Sequence, residues 1–222
     1  MSRPDIIVFD LDGTLVDTAP DLGGALAHTL RGLGLPAPPL ETMRQWISGG
    51  GRKIVAGGIE AAGGTVTDDE LDEAVTVFLA HYSTHLTDHS SPYPGVRETL
   101  QSLQAAGAHM GICTNKTFRY SVQLLAALEL DGFFNGIVFG GDSLDVRKPD
   151  GRHVLAVIDK LGGSPERAVM VGDSATDVDA ARNADIPVIV ASFGYSDVPV
   201  VDLAADAVID SFAELIPALA AL

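Results

Sequence analysis

Apolar residues along the chain fall into two rhythms. The first is a short continuous run. Ile6 to Phe9 is wholly apolar and ends at Asp10, the pattern of a strand buried on both faces. The run recurs at Met110–Cys113, Ile137–Phe139, Val169–Val171 and Val188–Val190, and in weaker form at Ala207–Ile209. The second rhythm is helical. Val96, Leu100 and Leu103 follow i, i+4, i+7 spacing, and Gly107 stands where a helix would stop. Phe118–Leu128, His153–Leu161, Asp177–Ala184 and Phe212–Leu219 carry the same signal. Strands alternating with single helices predict βαβ units, a mostly parallel sheet and right-handed crossovers.

Residues 16–89 break that alternation, with helical patterns and hardly any strand signal. Asp21–Leu33 predicts one helix ending at Gly34. Leu40–Ile47 and Lys53–Ala62 predict two more, split by Ser48-Gly49-Gly50-Gly51. A fourth begins at Asp68-Asp69-Glu70, whose charges suit a helix N-terminus, and runs to about Leu86. The turn-rich Ser90-Ser91-Pro92-Tyr93-Pro94-Gly95 marks a return to the first rhythm. The expected architecture is an α/β, Rossmann-like core of residues 1–15 and 90–222, with residues 16–89 inserted as a small helical cap domain.

A chain of 222 residues, 46% hydrophobic and 20% charged, suits one such core with an insertion and argues against disorder. No apolar run approaches the roughly 18 residues of a membrane span. Asp5 and Asp10 interrupt the N-terminus before a signal-peptide core forms, and Cys113 is the single cysteine, so a reducing cytoplasm is expected. The formal charge of −16 repels nucleic-acid backbones and anionic membranes, and neither is expected as a partner. A small anionic substrate is repelled too, unless a metal ion and a few placed cations reverse the sign locally. The sequence assigns no oligomeric state.

Four polar clusters follow predicted strands. In Asp10-Leu11-Asp12-Gly13-Thr14, carboxylates two residues apart in extended chain point the same way, about 7 Å apart. One so placed can attack as a nucleophile while the other moves protons. A plain Asx-turn is the simpler alternative, but it needs only one Asp. Thr114-Asn115-Lys116 offers a hydroxyl and backbone N–H groups for a phosphoryl oxygen, or a helix N-cap. Arg147-Lys148-Pro149-Asp150 holds a compact cation beside a proline-fixed turn; alone, it reads as a surface turn. Gly172-Asp173-Ser174-Ala175-Thr176-Asp177 sets two carboxylates one helical turn apart, which suits Mg²⁺ and also a capping box from Ser174 to Asp177. Their conjunction decides the matter: ligands of open α/β sheets bind beyond the carboxyl ends of strands, where all four clusters lie.

Asp10-Leu11-Asp12-Gly13-Thr14-Leu15-Val16-Asp17-Thr18 resembles the first motif of the haloacid-dehalogenase-like phosphatase superfamily. Thr114-Asn115, Lys148 and Gly172-Asp173-Ser174-x-x-Asp177 are similar to its second, third and fourth motifs, in order. The resemblance implies a nucleophile at Asp10, a general acid/base at Asp12, and phosphoryl binding by Thr114, Asn115 and Lys148. It implies Mg²⁺ held by Asp10, the backbone carbonyl of Asp12 and Asp173, with Asp177 supporting the metal shell. Asp17-Thr18-Ala19-Pro20-Asp21-Leu22, Trp46-Ile47-Ser48-Gly49-Gly50-Gly51, Thr114-Asn115-Lys116 and Phe193-Gly194-Tyr195 look most like the phosphoglycolate phosphatases, which implies a small phosphorylated metabolite as substrate. The chain departs from them at Asp150-Gly151-Arg152, where relatives often carry a second proline.

Asp12 argues against haloacid dehalogenation, which needs no acid for a halide. A sugar-phosphate mutase or a broad-specificity phosphatase uses the same two Asp residues. A signalling receiver is about half this length, and a metabolite sensor on the same fold would be expected to have lost Asp10 or Asp12. Specificity is expected in the inserted helices. Gly50 and Gly51 allow close backbone approach, and Arg52 or Lys53 can meet a substrate carboxylate, although a solvated interhelical turn explains them equally. His81, His85 and His89 recur every four residues, a spacing that can gather imidazoles for a metal, but the helix is expected to end among Thr87, Asp88 and Ser90. Cys113 and Trp46 read as packing residues.

Overall fold

The computed structural model describes residues 4–222. Its elements begin with β1 (Ile6–Phe9) and β2 (Val16–Asp17), followed by α1 (Ala19–Gly32), α2 (Leu40–Arg44), α3 (Gly51–Ala61) and α4 (Asp68–Thr84). The chain returns through β3 (Ser91–Pro92), α5 (Val96–Ala105), β4 (His109–Cys113), α6 (Phe118–Ala127) and β5 (Val138–Phe139). It ends with α7 (Gly151–Lys160), β6 (Ala168–Gly172), α8 (Ala175–Asn183), β7 (Val188–Ala191), β8 (Ala207–Ile209) and α9 (Leu215–Ala221).

The six long-range strands form one sheet in the order β5-β4-β1-β6-β7-β8, every pair parallel. Its centre is β1, whose residues alternate between two cores as a two-residue side-chain period requires. Ile7 and Phe9 pack with Leu100, Leu103, Leu124 and Leu215 under α5, α6 and α9. Ile6 and Val8 pack with Val154, Val157, Val178 and Ala181 under α7 and α8. Such two-sided burial explains why the strands read as unbroken apolar runs.

From β1 the chain builds outward to β4 and β5 on one side, then to β6, β7 and β8 on the other. The reversal opens a crevice at the carboxyl ends of β1, β4 and β6, where open α/β sheets bind ligands. Asp10, Thr114 and Asp173 stand just past those three strand ends.

Helices α1–α4 lie between β1 and β4 in sequence and pack around a third core of Leu22, Leu26, Ile54, Ile59, Phe78 and Tyr82. Tyr120 and Tyr195, from the sheet domain, pack into it. Thr67 caps α4 through a reciprocal pair with Glu70, and the helix starts at the acidic turn that predicted it. The insertion is joined to the sheet by two crossings that run side by side. Here β2 and β3 pair antiparallel, Val16 with Pro92 and Asp17 with Ser91. Asp21 fastens the crossings together, accepting from the backbone of His89 at 3.0 Å and of Ser90 at 2.7 Å, and from the Ser90 hydroxyl at 2.6 Å.

Two sequence expectations shift, and the histidine spacing takes a definite form. Leu40–Ile47 is not one helix: α2 stops at Arg44, and a 3₁₀ turn over Ile47–Gly49 leads into α3. Phe212–Leu219 opens as a 3₁₀ turn over Phe212–Glu214, and α9 then carries Pro217 in its first turn, where a missing N–H costs nothing. His89 lies beyond the end of α4. In its place His28 of α1 stacks on His81 at 4.2 Å, and His81 on His85 at 4.1 Å. The rings lie over one another instead of converging their nitrogens on one point.

Candidate active site

Asp10 leaves β1 buried, 5% exposed. Its Oδ1 lies 2.9 Å from Lys148 Nζ yet receives no well-directed hydrogen bond. Lys148, itself 2% exposed, donates to Asp177 Oδ1 at 2.6 Å. One ammonium thus bridges a carboxylate at the end of β1 and one in the first turn of α8. Burial works to neutralise it, but Asp10 and Asp177 together hold its pKa above that of a free lysine.

Asp173 completes the acidic cluster, with carboxylate oxygens of Asp10, Asp173 and Asp177 all within 4.8 Å of one another. Its Oδ1 accepts from the Thr14 hydroxyl at 2.8 Å and its Oδ2 from the Tyr195 backbone N–H at 2.7 Å. Two glycines make room for it. A Cβ on Gly194 would lie 2.5 Å from Asp173 Oδ2. Gly13, at φ +87°, turns the first motif back, and a Cβ there would strike the Tyr195 ring at 2.7 Å.

Burial, with Asp177 and Asp10 close by, raises Asp173 well above the ordinary carboxylate range. Burial likewise pushes Asp10 up to about 7, against the pull of Lys148. Three buried carboxylates facing one lysine are short of positive charge, and Asp10 Oδ1 lacks a directed donor. Hard oxygen donors gathered in this way fit Mg²⁺. Asp177 differs from the other two. Its Oδ2 accepts from the backbone of Asp173 and Ser174, at 3.1 Å each, and from the Ser174 hydroxyl at 2.8 Å. With Oδ1 on Lys148, both oxygens are engaged within the protein.

Asp12 stands apart from that cluster. Its Oδ1 accepts from the Thr18 hydroxyl at 2.8 Å and from Lys116 Nζ at 3.0 Å. Lys116 also donates to the Tyr82 hydroxyl of α4 at 2.6 Å, so the second carboxylate is tied through one lysine to the inserted helices. Thr114 is buried, and its Oγ1 accepts from the Lys116 backbone N–H, which leaves the hydroxyl proton free to donate. Asn115 turns elsewhere: its amide donates to the carbonyls of Ser48 and Lys148, at 3.1 and 3.0 Å. It pins the third-motif loop to the insertion, and its donors do not point at the crevice.

Two cavities flank these residues. An inner one lies between Asp12, Gly50, Gly51, Ile54, Tyr82 and Lys116. An outer, open one is bordered by Arg52, Lys53, Asn115, Arg147 and Lys148, which supplies the local positive charge that a chain of −16 must provide. Gly50 and Gly51 line the inner cavity. Arg52 does not reach it: Asp68 and Asp72 at the start of α4 draw its guanidinium away.

Lys116, Thr18 and Tyr195 lie within the sequence motifs without a role expected of their side chains, and Tyr82 lies outside those motifs. Lys116 lies two residues beyond Thr114, so strand-like alternation past β4 was the available signal. Tyr195 is reached only through the sheet: its hydroxyl donates to Asp17 at 2.5 Å and accepts from the N–H groups of Thr18 and Ala19.

The sequence model of the haloacid dehalogenase-like hydrolase family matches residues 7–191. A phosphoglycolate phosphatase of Agrobacterium fabrum is 43% identical over 98% of this chain and 94% of its own length. One from Caulobacter vibrioides is 44% identical over 94% of this chain and 88% of its own. The crystal structure of a predicted phosphoglycolate phosphatase from Haemophilus somnus superposes with a TM-score of 0.90 at 31% identity, covering 98% of both chains. With a family match over most of its length and relatives above 40% identity, the chain belongs to the haloacid dehalogenase-like hydrolase family and is a hydrolase.

Proposed function

We propose that this hydrolase is a Mg²⁺-dependent phosphoric monoester hydrolase that acts on 2-phosphoglycolate through a phosphorylated Asp10. The observation that carries the reading is the placement of Asp10: buried, beside Lys148, and facing Asp173. The relatives named above, 43% and 44% identical, support the substrate.

In the first half-reaction an Asp10 carboxylate oxygen forms a bond to phosphorus while the ester oxygen leaves. Asp12 gives its proton to that oxygen, so the alcohol departs neutral. In the second, Asp12 takes a proton from water, the water oxygen attacks phosphorus, and the bond to Asp10 breaks to release inorganic phosphate. Lys148 balances charge between nucleophile and transferring group, and the Thr114 hydroxyl donates to a phosphoryl oxygen. The carboxylates of Asp10 and Asp173, with the backbone carbonyl of Asp12, would hold the ion. When bound, Mg²⁺ supplies electrostatic shielding between the anionic ester and Asp10. Asp177 serves as a positioning residue, aiming Lys148 and bracing the loop that carries Asp173. Among the described residues no helix is long and apolar enough to cross a membrane. A single buried cysteine fits the cytoplasm as the working compartment.

The test is phosphate release from 2-phosphoglycolate beside a panel of sugar phosphates, with and without Mg²⁺, and with Asp10→Asn as the blank. Turnover that favours 2-phosphoglycolate, requires Mg²⁺ and is lost in the variant is expected. Phosphate that moves between positions of a sugar phosphate without release would instead identify a mutase.

A further inference from the structure

The inner cavity has a composition that the hydrolytic steps leave unexplained. Its room is about 30 Å³, enough for roughly two water-sized groups. Leu22, Ile47, Ile54, Phe78 and Leu79 give it apolar walls, and its charged lining residues are Asp12 and Lys116. Asp12 is the residue that would deliver a proton to the departing alcohol, so the cavity lies where the rest of that alcohol must go.

Its polar groups are only partly used. An ammonium carries three N–H donors. Lys116 directs one toward the Asp12 carboxylate, at 3.0 and 3.2 Å, and one to the Tyr82 hydroxyl at 2.6 Å. One N–H spanning both Asp12 oxygens would leave the third for a ligand. The Tyr82 hydroxyl accepts from Lys116, and among the described residues its own proton has no acceptor. Burial pushes this phenol up to about 12, so it stays protonated and able to donate. Two free donors therefore face a space of about two oxygens.

The charge balance points the same way. Lys116 is 8% exposed, and a buried ammonium needs a counter-ion. Asp12 provides one at 3.0 Å, and a carboxylate on the leaving group would supply a second anion to the same ammonium. A sugar's hydroxyls would meet apolar walls with few partners, which a site of this kind rejects strongly.

We propose that Lys116, with the Tyr82 hydroxyl, binds a carboxylate on the leaving group, so that the enzyme selects small phosphorylated hydroxy acids over uncharged or sugar phosphate esters. The proposal rests on the hydrolytic reading above, and it assigns substrate choice to a core lysine and a cap tyrosine.

The decisive comparison uses the Mg²⁺-loaded enzyme with 2-phosphoglycolate and with 2-hydroxyethyl phosphate, which replaces the carboxylate by an uncharged alcohol. Because Lys116 also touches Asp12, rates on both esters are expected to fall in Lys116→Met, and the informative quantity is the ratio of the two kcat/KM values. That ratio is expected to drop about 10- to 100-fold, the worth of a charge-assisted hydrogen bond. Tyr82→Phe keeps the ring and removes the hydroxyl. It is expected to lower the ratio by a smaller factor, and it decides the matter should Lys116→Met fail to fold. An unchanged ratio in the folded variants would overturn the proposal and leave Lys116 as a positioning residue for Asp12. Calorimetric binding of both esters to Asp10→Asn separates this idea from the catalytic one. If wild-type enzyme hydrolyses neither ester, the hydrolytic reading fails. Loss of preference for the carboxylated ligand on replacing Lys116 would still support the assignment, and no preference to lose would refute it.

Discussion

Asp173 and Asp177 stand one helical turn apart in the same acidic cluster, but their surroundings predict opposite effects on the metal-free protein. Asp177 is fully satisfied: three donors converge on Oδ2, and Lys148 lies 2.6 Å from Oδ1. In Asp177→Asn the amide oxygen can keep the three donors, but the NH₂ group then faces the lysine ammonium, donor against donor. Removing one partner of a buried ion pair costs about 3–5 kcal/mol. Asp10, still 2.9 Å from Lys148, places the expected loss near the lower figure. Asp173 is held by two donors, but burial and its acidic neighbours raise its pKa well above normal. Asp173→Asn removes a repelled charge, keeps the Tyr195 bond, and allows the Thr14 hydroxyl to rotate and accept. This variant is expected to be more stable than wild type at pH 8 without metal. Urea unfolding with chelator present reads both signs. Added Mg²⁺ should stabilise wild type by about 2.7 kcal/mol at a hundred times its Kd, retain most of that gain in Asp177→Asn, and lose it in Asp173→Asn. An Asp177→Asn protein that gains stability in chelator and ignores Mg²⁺ would refute the separation of roles and make Asp177 a ligand.

The same reasoning extends to pH and to the glycine walls. Burial pushes Asp10 up to about 7 in the fold, against about 3.9 for an ordinary aspartate, so the native state holds its proton over a window where the unfolded chain does not. Its contribution to stability is present below about pH 4 and lost as pH rises through 7. In chelator, the stability of Asp10→Asn relative to wild type should therefore grow by about 2–3 kcal/mol between pH 5 and 8. Mg²⁺ should shrink that difference, and a pH-independent gap would contradict the assignment. In Gly194→Ala the new Cβ would lie 2.5 Å from Asp173 Oδ2, so the carboxylate must yield by a sizeable fraction of an ångström. A fall in kcat/KM of about 100-fold, with a raised Mg²⁺ requirement in titrations, is the expected outcome. Wild-type Mg²⁺ dependence would show that Asp173 has room to spare.

Strand ends were the legible part of this chain. Apolar runs buried on both faces announce themselves, so Asp10, Thr114 and Asp173 could be placed beyond β1, β4 and β6 before any coordinates. What stayed hidden depends on partners distant in sequence. Nothing local tells Lys116 to reach Asp12 and Tyr82, or Asn115 to spend its amide on the carbonyls of Ser48 and Lys148. Arg52 looked free in sequence because Asp68 and Asp72 lie on another helix. The β2–β3 ribbon escaped notice because two-residue strands carry no periodicity and one of them contains Pro92. The stacked histidines show the limit of spacing alone. A four-residue repeat placed His81 and His85 together and left His89 past the helix end, but it could not supply His28 from α1.

The paired crossings at Val16–Asp17 and Ser91–Pro92 bear on how the chain finds its fold. Parallel β1 must meet β4, with Ile6 opposite His109, a closure spanning about 100 residues of chain. The ribbon brings Asp17 and Ser91 within a strand spacing of each other. If the four helices between them form first, the segment is removed from the loop and only about 30 flexible residues remain. The entropy of closing a loop grows with the logarithm of its length, so this shortcut lowers the cost by about 1 kcal/mol. An insertion that looks like a burden on assembly thus costs the central strand pair little, provided local helical contacts precede the sheet.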